Sequence, residues 1–227
     1  MGTFAKFVVC LLFSFQAFAI DLSALSHADA VGGLKDALTQ SSAAAVSKLG
    51  VENGFLGNDK VKIPLPDALK RIEGGLRLLG LKSQADELLT AMNRAAEQAV
   101  PEARVLLINS VKEMSVDDAK SILTGGDTAA TDYFRRATSE QLTQKFLPIV
   151  RLATAKVGLA DKYNRLASKG AKLGLVDAKQ ANVEGYVTQK ALDGLFLIIA
   201  EEEKAIRHDP LGAATGMAKK VFGMLSQ

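Results

Sequence analysis

Between Tyr186 and Pro210 the chain reads YVTQKALDGLFLIIAEEEKAIRHDP, and this stretch constrains everything around it. The sequence predicts one helix of about 22 residues, roughly 33 Å long at ~1.5 Å per residue. Its middle, Gly194 to Ala200, carries no polar side chain. A helix that is apolar all round has to be enclosed by other helices. It is not a membrane span. Asp193 interrupts it on one side and Glu201, Glu202 and Glu203 close it on the other, leaving far fewer than the ~20 apolar residues a span needs. Asp193 lies one turn before Leu197, so its carboxylate sits at a helix–helix boundary or is paired with a cation. Lys190, three residues back, is the local cation within reach.

The helices to do the enclosing are available. The chain has 227 residues, 48% of them hydrophobic, enough for one sizeable core or two small ones. Ala, Leu, Lys, Glu and Gln are plentiful, Tyr and Pro are scarce and Trp is absent, which favours helix over strand.

Residues 1–19 read as a cleavable signal peptide. Lys6 supplies the positive start, Phe7 to Phe15 an apolar run broken only by Ser14, and Ala17-Phe18-Ala19 the small-x-small site cut by signal peptidase. Cleavage is expected between Ala19 and Ile20, which places the mature chain, residues 20–227, in the periplasm or outside the cell. Cys10, the only cysteine, lies inside the apolar run without the small neighbour a lipid-attachment signal requires. The mature chain then has no disulfide, no thiol nucleophile and no thiolate metal site. The net charge is +3 with both signs interspersed, so no basic stripe is present to track a phosphate backbone, and nucleic acid is not an expected partner.

In chain order, Ala28 to Leu49 forms a first helix with a narrow, Ala-rich stripe, closed by Gly50. Val51 to Leu69 is irregular: Asn53-Gly54 and Gly57-Asn58 are turn pairs, and Pro64 and Pro66 forbid helix until the second proline opens one that runs to Leu79. Phe55 and Leu56 at this loop tip either fold back onto the bundle or form an exposed binding tip. Ser83 is the expected cap of a helix from Gln84 to Ala99, and Pro101 kinks it or starts another to Met114. Ser115 with Asp118 resembles a capping box for Val116 to Leu123. After Gly125-Gly126, Asp127 is the expected cap of a short helix and Ser139 that of a long one through Val157, bent at Pro148. A short helix covers Leu159 to Leu173. Leu211 to Gln227 is a last amphipathic piece. The expected architecture is all-α: a single-domain irregular helical bundle around one buried central helix near the C-terminus, wrapped by the Gln84–Met114 and Ser139–Val157 helices.

The segments IPLP (Ile63 to Pro66), MNRAAEQAVPEA (Met92 to Ala103), AATDYFRRAT (Ala129 to Thr138), KFLPIV (Lys145 to Val150), YVTQKALDGLFLIIAEEEKAIR (Tyr186 to Arg207) and KKVFG (Lys219 to Gly223) follow in this order. Together they resemble the exported, all-helical bacterial family known as domain of unknown function 4197. The resemblance covers nearly the whole mature chain. It implies a secreted, mostly helical single domain from Gram-negative bacteria, and it carries no residue role, since the family has no assigned activity. Asp209 stands where many relatives would have Asn before the proline.

The polar residues that stand out are on helices. Asn93, Arg94 and Glu97 lie one turn apart; Thr131, Tyr133, Arg135 and Arg136 follow a glycine break; Lys190, Asp193 and Glu202 belong to the central helix. Glu203 has Arg207 and Glu201 has Lys204 at pairing distance along the helix, which leaves Glu202 calling for a cation from elsewhere. These side chains form either an inter-helix network that fixes register or a site for a small anion. No catalytic residue and no metal ligand set is named: His27 and His208 are the only histidines, and no phosphate loop, His-Glu-x-x-His, Gly-x-Ser-x-Gly or Ca²⁺ loop occurs. No cofactor is called for. Three functional expectations follow. The first is a non-catalytic periplasmic protein that binds an envelope protein, or a small apolar or anionic ligand held between helices. The second is a hydrolase-like enzyme using carboxylates with Arg94, Arg135 or Arg136 as an anion clamp. The third is a peripheral envelope-surface protein acting through Leu211–Gln227.

Overall fold

The structure, a computed structural model, describes residues 27–71, 82–172 and 182–209. The leader expected over residues 1–19 and the amphipathic piece expected over Leu211–Gln227 lie outside the described residues. Within them the chain is helical and irregular, with no strand among the described residues: α1 (His27–Leu49), α2 (Asp67–Arg71), α3 (Lys82–Ala99), a 3-10 turn (Val100–Glu102), α4 (Ala103–Glu113), α5 (Val116–Leu123), α6 (Ala129–Thr154), α7 (Gly158–Lys172) and α8 (Val183–His208). The buried apolar side chains form one contiguous cluster.

Helix α8 is the centre of that cluster. It begins one turn earlier than the apolar pattern suggests, because the Asn182 side chain accepts from the Gly185 N–H at 2.6 Å and caps it. Leu195, Phe196, Ile198 and Ile199 are buried as expected. Leu197 is not: it is 42% exposed, on the same stripe as Lys190, Asp193, Glu201 and Lys204, so the enclosure has one open side. The most extensive packing against α8 comes from α6, then from α1, then from α3. The share taken by α1 exceeds what its modest stripe suggested. Small residues explain it: Ala37, Ala45, Ser41 and Ser42 are buried, and the two hydroxyls donate back to Leu38 O and Thr39 O, so α1 lies close without stranding a polar group. Lys35 reaches the end of α4 and donates to the carbonyls of Lys112 and Met114, placing a cation at a helix C-terminus.

Several local signals are realised. Gly50 closes α1 with its N–H on Val46 O, Pro101 opens the 3-10 turn before α4, and Ser115 and Asp118 form the reciprocal capping box of α5. Others are corrected. Ser83 lies inside the first turn of α3, and Pro66 sits just before α2, its carbonyl accepting from Leu69 and Lys70. Ser139 caps nothing: α6 runs unbroken through it, and its hydroxyl donates to Arg135 O. Asp127 does not cap α6 either, because Thr128 occupies that position without a side-chain cap bond and the free N–H groups are met from α8 instead.

The loop between α1 and α2 folds back. Phe55 is fully buried and its ring rests on α8 at Gly194, where a Cβ would stand 2.8 Å from the ring and 3.2 Å from the Val61 Cβ. That approach explains a glycine in mid-helix, which otherwise costs about 1 kcal/mol against alanine. Gly194→Ala should therefore lower stability by roughly 1–3 kcal/mol despite its better helix propensity, read as a lower urea midpoint. A stabilised variant would mean that the Phe55 ring moves aside freely.

Candidate functional site

The polar residues expected to matter fall in several places. Asn93, Arg94 and Glu97 are brought together on the buried side of α3, where they grip the α1–α2 loop. Asn93 is fully buried; its Oδ1 accepts from Ile63 N at 2.8 Å and its Nδ2 donates to Ile63 O at 2.9 Å and Leu89 O at 2.8 Å. Glu97 accepts from the N–H groups of Phe55 and Leu56, both at 3.0 Å, and from Arg94 at 2.6 Å. Arg94 continues to Glu52 and Asn53 in the loop. Tyr186, on α8, adds a hydroxyl bond to Pro64 O, and burial, followed by the nearby Asp67 and Tyr163, pushes that phenol up to about 12. The hydrogen bonds of this cluster run to the loop, to the α3 backbone at Leu89 or to a neighbouring side chain.

Burial works to raise the Glu97 carboxyl, but the Leu56 N–H, the Arg94 guanidinium and the Phe55 N–H outweigh it and hold it below its ordinary value. The stability its charge contributes is present above an unfolded value of about 4.3 and is lost as pH falls through the lower folded one. The stability gap between wild type and Glu97→Gln should shrink on acidification below about pH 4.3, measured by urea unfolding across pH 3–6 at roughly half-unit steps. A gap independent of pH would mean the charge is immaterial there.

The others are spread out. Tyr133 donates to Ser110 O at 2.6 Å, and burial raises its phenol. Arg136 is exposed; the Ser115 hydroxyl and N–H hold the Asp118 carboxyl below its ordinary value, and Arg136 adds a smaller pull the same way. Arg135 stacks on Phe196, 4.6 Å from the ring centroid, and reaches Asp193 at 3.8 Å. Lys190 is thus not the partner of Asp193; it lies over Tyr186, 6.0 Å from the centroid, while Gln189 donates to Asp193 at 3.0 Å. Glu202 finds its cation in Lys48 of α1 and Glu201 in Lys60. His208 sits 3.3 Å from Asp127. No group of three or more potential metal ligands occurs among the described residues, and none of their helices is long and apolar enough to cross a membrane.

Two features are absent from the sequence reading. Glu203, expected to be an ordinary partner of Arg207, is buried. It accepts from Ala130 N and Thr131 N at 2.9 Å, from the Thr131 hydroxyl at 2.8 Å and from Arg207 at 2.9 Å, while Arg207 also donates to Ile122 O. One carboxylate thereby caps α6 from α8 and ties in α5.

The second is a groove of about 590 Å³ between α6 and the start of α8. Thr143, Leu147 and Arg151 line it at four-residue spacing on α6, and Asn182, Glu184, Gly185, Thr188 and Gln189 on the other side. The Thr188 side chain is only 2% exposed, and its hydroxyl is the one buried side-chain polar atom among the described residues with no hydrogen-bond partner. Arg151 is exposed and makes no ion pair among the described residues. The sequence signal for this place was faint: Thr188 is a polar residue one turn before Ala191 and Leu192, in a stripe that otherwise stays apolar.

The family model described as "Protein of unknown function (DUF4197)" matches residues 24–223. No curated protein and no solved structure matches the chain.

Proposed function

Because the chain belongs to this family of unknown function, membership assigns no activity, and we propose from the geometry that it is a non-catalytic, exported binding protein that holds a small polar molecule in the α6–α8 groove. Thr188 carries the proposal. A buried hydroxyl left without a partner costs about 1–3 kcal/mol, and native proteins seldom leave one. Here it belongs to the wall of a groove whose volume suits a small ligand, beside a cation with no ion-pair partner among the described residues. A polar atom of a ligand supplies the missing bond. The α3 cluster offers nothing comparable, since its groups are already engaged with the loop. Export rests on the leader expected over residues 1–19.

Native mass spectrometry tests the proposal. Wild-type protein incubated with a small-molecule cell extract should retain an adduct. Arg151→Glu should lose it with the unfolding midpoint moved by no more than about 2 °C, as for other exposed positions. A wild-type chain that stays bare after incubation contradicts the proposal.

A further inference from the structure

We infer that the groove takes a small zwitterion, its carboxylate toward Arg151 and its ammonium toward Glu184, a proposal that rests on the binding function above. Among the described residues of the lining, Arg151 and Glu184 are the two charged side chains. No ion pair joins them, and neither has an oppositely charged partner among the described residues. Glu184 is oriented instead by a neutral group: both of its oxygens face the Asn164 Nδ2 at 3.1 Å, which fixes the carboxylate without cancelling its charge.

The remaining polar groups of the wall are largely committed. Thr143 donates to Ser139 O, Gln189 to Asp193, and the Asn182 side chain accepts from Gly185. The start of α8 is no anion site, because Val183 N–H is taken by Asn164 and Gly185 N–H by Asn182. Among the described residues, what stays available is one cation, one anion and the Thr188 hydroxyl. A simple anion suited to Arg151 meets repulsion from Glu184, and a simple cation meets it from Arg151. A molecule carrying both signs satisfies each end, and the buried hydroxyl, one turn along from Glu184, meets a polar atom between them.

Isothermal titration calorimetry on the whole chain tests this with glycine, β-alanine, γ-aminobutyrate and alanyl-alanine, whose charges are spaced at increasing distances, and with propionate and propylamine as single-charge controls. At least one zwitterion should bind on the order of tenfold more tightly than either control, the scale of a charge-assisted bond. Arg151→Ala and Glu184→Gln should each remove that advantage, and Glu184→Gln should strengthen propionate binding. Circular dichroism melts confirm that both variants fold. Propionate or propylamine binding as tightly as the best zwitterion overturns the inference and leaves the groove as a binding site. If no zwitterion binds while native mass spectrometry still shows an adduct, the ligand class is wrong and the binding function stands. If neither is seen, both fall.

Discussion

Glu203→Ala should lower the unfolding midpoint by roughly 10 °C, the largest effect expected of any single polar substitution here. The estimate follows from about 3–5 kcal/mol for removing one partner of a buried ion pair and 2–4 °C per kcal/mol in a chain of this size. Glu203 is 3% exposed and its partner Arg207 12%. Truncation strips the Ala130 and Thr131 N–H groups and the Thr131 hydroxyl of their acceptor and removes the Glu203 carboxylate from the guanidinium of Arg207. The start of α6 has no substitute, since Thr128 makes no side-chain cap. Glu203→Gln keeps one acceptor oxygen and should lose less. The double change Glu203→Leu with Arg207→Met should recover part of the loss, because a buried ion pair replaced by apolar side chains of similar size costs less than the loss of one member. A shift under about 2 °C for the alanine variant would mean that water replaces the carboxylate, and that α6 does not depend on α8 for its cap.

Asn93→Ala is the second large effect, and it acts on the loop. Ile63 loses the partner of both its N–H and its carbonyl in a fully buried position. A cost of about 2–4 kcal/mol is expected from two stranded groups. The α1–α2 loop should then open locally before the bundle unfolds, because Glu97 alone still holds Phe55 and Leu56. Limited proteolysis should find new cuts between Val51 and Ile63 in this variant. Arg94→Ala, whose side chain is part-exposed, should cost less than Asn93→Ala and leave the loop protected. Equal sensitivity of the two variants would place the fastening in the exposed charges rather than in the buried amide.

What could be read from the sequence was local. Gly50, Pro101 and the Ser115–Asp118 capping box act within a few residues of themselves, and each does what its spacing implies. The central helix was legible because no neighbour alters the hydrophobicity of Leu195 to Ile199. Leu197 escaped because a run of apolar residues does not say which side its neighbours leave open. Glu203 escaped for a related reason: its partners are Ala130 and Thr131, more than 70 positions away, and one step of about 100° separates it from Glu202, which faces Lys48 instead. Asn93, Arg94 and Glu97 were legible as a dense polar group, but their common target, the loop backbone from Phe55 to Ile63, is set by tertiary packing. The groove was the least legible. Whether the hydroxyl of Thr188 finds a partner depends on what α6 presents to it, and that is fixed only when both helices are in place.

The polar clusters of α3 and of the α6 start thus act as fasteners, and the α6–α8 groove is the ligand site proposed above. The most direct test is an amide-resolved NMR titration of the ¹⁵N-labelled protein with a pool of amino acids, carboxylates and amines. Shifts should centre on Leu147, Arg151, Gly185 and Thr188, with Asn93, Arg94 and Glu97 unmoved. Shifts centred on α3 and the loop it holds, with the groove silent, would contradict the proposed site.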